Sequence, residues 1–149
     1  MPTQPRYFKP KEMELGYAKL EDGTIILCRV AVINVRPIYE SSPFGIDFDL
    51  DLTTGISPQP SEEAREQIKD KPVLPPGEKP PNNWKQLEIK EKKAAVEKIE
   101  YEDERTGKYL ITVEVEPIMA SLNTAIKTIK GDPLYVIRWV PKITWKKLQ

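Results

Sequence analysis

The chain has 149 residues, 23 basic and 23 acidic side chains, one cysteine and no histidine. A chain of this length buries roughly 68–70% of its unfolded surface around one core, so it needs no metal or disulfide staple, and a lone cysteine excludes an intrachain disulfide. Balanced charge removes any overall steering field toward duplex DNA, and the lack of histidine, Gly-rich phosphate loops and Cys/His clusters excludes the Ser-His, Cys-His, nucleotide-loop and zinc chemistries.

Charged residues make up 31% of the chain, against a usual ~25%. With no histidine and abundant Lys, Glu and Ile, this composition is thermophile-like. The opening "MPTQPRYFKPKEMELG" has no apolar signal core, and no run of 18 apolar residues suggests a membrane span. The expectation is a cytoplasmic protein.

Residues 1–13 carry Pro2, Pro5 and Pro10 and read as an extended arm. "ELGYAKL" and "TIILCRVAVINVRPI" flank Glu21-Asp22-Gly23, a hairpin signal because glycine accepts positive φ at no steric cost. In the second run Ile26, Cys28, Val30 and Val32 share one face, and Ile25, Leu27, Ala31, Ile33 and Val35 share the other. That predicts a central strand covered on both sides, with Ile33 in the core and Cys28 as a small buried hydrophobe. Arg29 interrupts the second face and calls for a sheet margin or a carboxylate.

"GIDFDLDL" alternates Asp47, Asp49 and Asp51 with Phe48, Leu50 and Leu52. Residues two apart in a strand lie about 6.6–6.8 Å apart on one face, so Asp47 and Asp49 are the candidate metal ligands. The ordinary reading is a solvated strand face, since mutual repulsion in water at that spacing is only about 0.6 kcal/mol. Arg29, Arg36 and Lys19 are the available counter-charges.

Residues 54–85 hold seven of the fifteen prolines between Pro58 and Pro81, which bars a central strand. Ser61 before "EEAREQIKD" reads as a capped short helix burying Ala64 and Ile68. Lys69, Pro72 and Pro75 fit a basic-x-x-Pro-x-x-Pro spacing readable by an aromatic groove, and are the candidate protein-partner residues. Segment 84–95 admits a helix, through Asn83 and Gln86 as a capping box, or a strand, through Leu87 and Ile89. The helix is the preferred reading.

"KIEYEDERTGKYLITVEVEPI" is a second hairpin with Tyr109, Ile111, Val113 and Val115 on one face. Segment 118–130 fits a helix stopped at Gly131 or a strand. The last run sets Tyr135, Ile137, Trp139, Ile143 and Trp145 on one side, as in a strand facing a core, with Pro141 marking an edge or bulge. The interleaved Arg138, Lys142 and Lys146 also suit a stacking platform for single-stranded nucleic acid on Trp139 and Trp145.

The pattern predicts a β-rich α+β fold: one domain over residues 1–149, as an antiparallel barrel, in an OB-like form for instance, or a two-layer sheet, with one or two short helices and a long Pro-rich crossover. The leading functional expectation is a non-catalytic binding or assembly subunit contacting protein partners, without a cofactor or metal. The alternative is a single-stranded nucleic-acid binder, and a carboxylate-metal enzyme comes third.

Overall fold

A computed structural model describes residues 6–39 and 43–148. The chain runs β1 (Arg6–Glu14), β2 (Gly16–Leu20), β3 (Ile25–Tyr39), β4 (Ile46–Gln59), α1 (Glu62–Ile68), β5 (Trp84–Leu87), β6 (Ile89–Lys93), β7 (Ala95–Asp103), β8 (Gly107–Asn123) and β9 (Tyr135–Leu148). These strands form two antiparallel sheets and not a closed barrel, so the two-layer form of the expected β-rich fold is the one adopted. One sheet runs β1-β7-β8, with β9 on the far side of β8 and β5 alongside the end of β8; the other runs β4-β3-β2-β6.

The two sheets are stitched where two strand pairs bend from one layer to the other. β1 continues through Leu15 into β2, and β6 through Ala94 into β7. β1 pairs with β7 in one sheet, and β2 with β6 in the other. Such corners need a residue that lets backbones nearly touch. Gly16 supplies it: a Cβ there would stand 2.4 Å from the Ala95 nitrogen and 2.6 Å from the Lys93 oxygen. Cys28, opposite Gly16 in β3, is 3% exposed beneath this corner. Burial pushes its thiol pKa up, against the lowering effect of hydrogen bonds from the Gly16 and Ala95 backbones.

Between the layers Cys28, Val30, Val32, Val35, Ile46 and Phe48 meet Ala95, Ile99, Tyr101, Ile111, Val113 and Val115. A second cluster joins Ala18, Leu20 and Ile26 to Leu87, Leu122, Tyr135 and Ile137, and Trp139 packs against both. Burial of this kind contributes roughly 25 cal/mol per Å² of apolar surface.

Several expectations change. β3 is central, but its outer face is only partly covered, and Ile33 is 58% exposed. The cause is a β-bulge between Val32 and Asn34, which ejects Ile33 and returns Val35 to the buried row. The N-terminal arm is strand β1 from Arg6 onward, drawn into the sheet by β7, and residues 1–5 lie outside the described residues. Segment 84–95 is strand, because Trp84–Leu87 pairs with the last residues of β8 and Ile89–Lys93 with β2. Residues 118–123 continue β8 and the chain then loops to β9. Proline does not stop β4, which reaches Gln59 as an edge strand. The serine-capped helix forms as read, with Ser61 Oγ accepting from Ala64 N at 3.1 Å and Ala64 and Ile68 buried.

Gly16→Ala should destabilise by about 3 kcal/mol or more, because backbone on both sides must move. Ile33→Ala should cost less than about 1 kcal/mol, whereas fully buried Ile111→Ala should cost about 2–5 kcal/mol. Denaturant melts of the three variants check the corner, the bulge and the core separately.

Candidate functional site

The side of the molecule away from the stitched corner is open. Among the described residues β4 pairs in a sheet only with β3 and β9 only with β8, so two long edge strands flank a mouth between the layers. Phe48 from β4 meets Trp145 from β9 with ring centroids 5.4 Å apart, and Phe44 meets the same indole at 6.3 Å. Both contacts are edge-to-face, a favourable aromatic geometry. Phe48 also contacts Tyr101 and Tyr109 in this manner. Outside this aromatic plug lies a groove of about 410 Å³ lined by Phe44, Tyr109, Ile143, Thr144, Trp145, Lys146 and Lys147. Phe44 is 79% exposed.

Strand alternation decides what each residue of β9 can do there. Trp139 and Trp145 are half-buried and pack against the core. Arg138, Lys142 and Lys146 are exposed and alternate with them, so the cations and the indoles of the expected stacking platform point to opposite faces. Lys142 binds Glu116 at 3.2 Å, and Lys92 binds the same carboxylate at 3.0 Å. These two lysines hold the Glu116 pKa below the usual carboxylate range. Arg138, Lys146 and Lys147 have no carboxylate partner among the described residues. Phe44 and Lys147 were not singled out by pattern, and Tyr109 was read only as part of a strand face: Phe44 sits in a turn, and the other two line the groove only when β8 and β9 are placed.

The acid row lies on the outer face of β4, opposite β3. Arg36 faces Asp49 and closes on two carboxylates: Nε and Nη2 donate to Asp49 Oδ2 at 3.0 and 2.9 Å, while Nη1 and Nη2 donate to the Asp51 oxygens at 2.7 and 2.8 Å. These bonds, to Asp51 first and Asp49 second, raise the guanidinium pKa further, and that of Asp51 falls. Asp47 instead accepts from the Phe48 N–H at 2.8 Å. Among the described residues no group of three or more Asp, Glu or Cys is placed to hold a metal ion. The lone pairs that Asp49 and Asp51 would offer a cation are directed at a guanidinium, a planar fork suited to such paired acceptance.

The proline segment is packed down. Lys69 closes α1 in a helical conformation, so Lys69, Pro72 and Pro75 do not form one PPII run. The Pro72 carbonyl accepts from Lys127 N at 3.0 Å, the Lys69 carbonyl accepts from Lys127 Nζ at 2.8 Å, and Leu74 N donates back to Lys127 O at 2.9 Å. The side chains of Lys69, Pro72 and Pro75 remain exposed.

Two buried polar knots fix the frame around the mouth. Tyr39 and Tyr101 each donate to Asp103 Oδ2 at 2.6 Å, and the Thr106 N–H and hydroxyl donate to Oδ1 at 2.6 and 2.7 Å. Arg105 lies over the Tyr39 ring at 4.0 Å. Burial acts to raise the Asp103 pKa, but the four hydrogen bonds prevail and hold it at about 2. Burial first, and then Asp103, pushes the Tyr101 phenol far above its usual range. At the other end Tyr135 donates to Asp22 at 2.7 Å and meets Thr24 Oγ1 at 2.7 Å, while Ser61 Oγ donates to the Asp22 carbonyl at 2.6 Å.

Asp103 has a folded pKa below its unfolded one, so its stabilisation is complete above about pH 4 and is lost as pH falls toward about 2. Asp103→Asn should cost roughly 2 kcal/mol near neutrality and flatten the acid limb of a stability profile measured from pH 6 to about 2. No protein-family model matches this chain, no curated protein is detectably similar to it, and no solved structure matches it.

Proposed function

We propose that this chain is a non-catalytic binding and assembly subunit, working in the cytoplasm, that joins protein partners by strand addition at its open side. The observation that supports this is the pair of edge strands, β4 and β9, which among the described residues carry no second strand, on either side of the Phe44–Trp145 groove. An edge presents alternate N–H and C=O groups that an incoming strand satisfies, and a groove beside it selects alternate side chains. The strongly perturbed groups, Asp103, Tyr101 and Tyr135, are consumed by the bonds that hold hairpins and layers together, which supports a scaffold over a catalyst. No helix among the described residues is long and apolar enough to cross a membrane.

A second reading, single-stranded nucleic acid, draws on Lys146 and Lys147 beside the exposed Phe44. It is the weaker one, because the indole of Trp145 is engaged by two phenylalanines and Arg138 and Lys142 lie on the outer face. Stacking needs a free ring face.

The native chain should retain protein partners from a cell extract after nuclease treatment, with hydrogen exchange slowed specifically at β4 and β9 amides. Partners lost on nuclease treatment, or protection confined to other strands, would reject the reading. Fluorescent single-stranded DNA or RNA at micromolar protein and about 0.15 M salt should leave tryptophan emission unchanged. Salt-sensitive quenching that Trp145→Phe removes while the melting curve is retained would put the nucleic-acid reading first.

A further inference from the structure

The two edges of the mouth carry opposite charge. On β4 the outward row is Asp47, Asp49 and Asp51, three carboxylates against the single Arg36. On β9 the outward row contains Arg138, Lys142 and Lys146. β9 has Pro141 near its middle, β4 has Pro58 near its end, and the Phe48 N–H of β4 is already taken by Asp47, so strand addition draws on the other backbone groups of the two edges.

The relative placement of the edges is also given. At one end Phe48 lies against Trp145. Toward the other end Pro58 pairs with Ile26, which shares a cluster with Tyr135 and Ile137. β4 therefore runs antiparallel to β9 across the mouth, with Phe48 level with Trp145. With the Phe48–Trp145 contact taken as the reference level, Leu50 comes opposite Ile143, Asp47 opposite Lys146 and Asp51 opposite Lys142, and a level two residues further along, through Tyr109 opposite Lys147, sets Asp49 opposite Lys146. Acid faces base on the outer row, and apolar faces apolar on the inner row.

We propose that the mouth takes a second copy of this chain. A two-fold axis parallel to the strands brings β4 of each copy against β9 of the other, antiparallel, and preserves the level of every residue. The same pairings then form twice between subunits, as a two-fold interface requires. Opposite charges directly across a strand pair stabilise it, and like charges oppose it, so β4 does not pair with β4 or β9 with β9. The outer row becomes an alternating series across the seam: Arg36, Asp51, the partner subunit's Lys142, the partner subunit's Glu116. This inference rests on the assembly reading above and names its first partner.

Sedimentation of the full chain at micromolar concentration and low salt should show a dimer that weakens as salt rises. The variant Asp47→Lys with Asp51→Lys should be monomeric, because its two edges are both basic. The variant Lys142→Glu with Lys146→Glu should be monomeric, because its two edges are both acidic. An equimolar mixture of the two should regain the dimer at least tenfold more tightly than either variant alone, since each acidic edge then meets a basic one. Recovery on mixing also shows that both variants are folded. A monomeric wild-type chain overturns the proposal, and so does a wild-type dimer that neither variant weakens. A monomer whose β4 and β9 amides are still protected by a captured protein would overturn the self-pairing while keeping the assembly reading. A monomer that captures nothing at these edges would remove both.

Discussion

Everything on the open side depends on how closely the chain packs at the stitched one. Gly16 lets the start of β2 lie against the turn from β6 to β7, with no room for even a methyl group. That approach turns two strand pairs from one layer into the other at one point. β1 and β6 end the two sheets on the side of the corner, and β4 and β9 end them on the side of the mouth. Cys28, lying under the corner, fits because a thiol is small enough for the space that remains, and its burial against backbone makes it a packing residue.

Two long strands carry the span between corner and mouth, and each is bent by one bulge. In β3 the bulge at Ile33 resets which residues face the core; in β8 a register shift between Pro117 and Met119 does the same along β9. Extra residues at these points increase local twist and let a strand follow two neighbours in succession. β8 does so: it pairs with β7 along its first half and with β5 along its last residues. Where β3 runs beyond the end of β2, its Val32 N–H would be left without a strand partner, and the buried Glu97 carboxylate accepts it at 2.7 Å. A buried donor left unpaired costs about 1–3 kcal/mol, so Glu97 acts as a cross-layer tie beside the apolar core.

The parts of this fold readable from the chain are those fixed by local chemistry. Asp22-Gly23 marks the first hairpin because Gly23 adopts φ +85°, and Ser61 caps α1 because its hydroxyl reaches an otherwise unpaired amide. Alternation placed Ile111, Val113 and Val115 inward, and it placed Trp139 and Trp145 on the side that packs against the core. The misplaced residues were decided by distant partners. Ile33 looks buried in any strict period of two, and only the pairing of β3 with β4 locates the bulge that exposes it. Leu87 and Ile89 satisfy both a helix and a strand pattern, and the matter is settled by β8, which pairs with Leu87, and by β2, which pairs with Ile89. Phe44 and Lys147 are far apart in the chain and share the groove only after both sheets have formed.

The acid row shows why a local pattern can be right about chemistry yet silent about role. Asp49 and Asp51 are solvated strand residues, as alternation implies, and Arg36 is one of the counter-charges available to them. What alternation does not convey is that β4 is an edge. On an interior strand the same row would only decorate a surface. On an edge it controls which strands can approach, because an incoming strand must set its own outer row directly beside the carboxylates. The lysines of β9 apply the same filter with the opposite sign. Edges of this length with no charge pattern would pair indiscriminately, and edges of one shared sign would pair with nothing like themselves. On the proposed self-pairing, two edges of opposite sign restrict pairing to strands that are complementary, and the chain itself contains one of each.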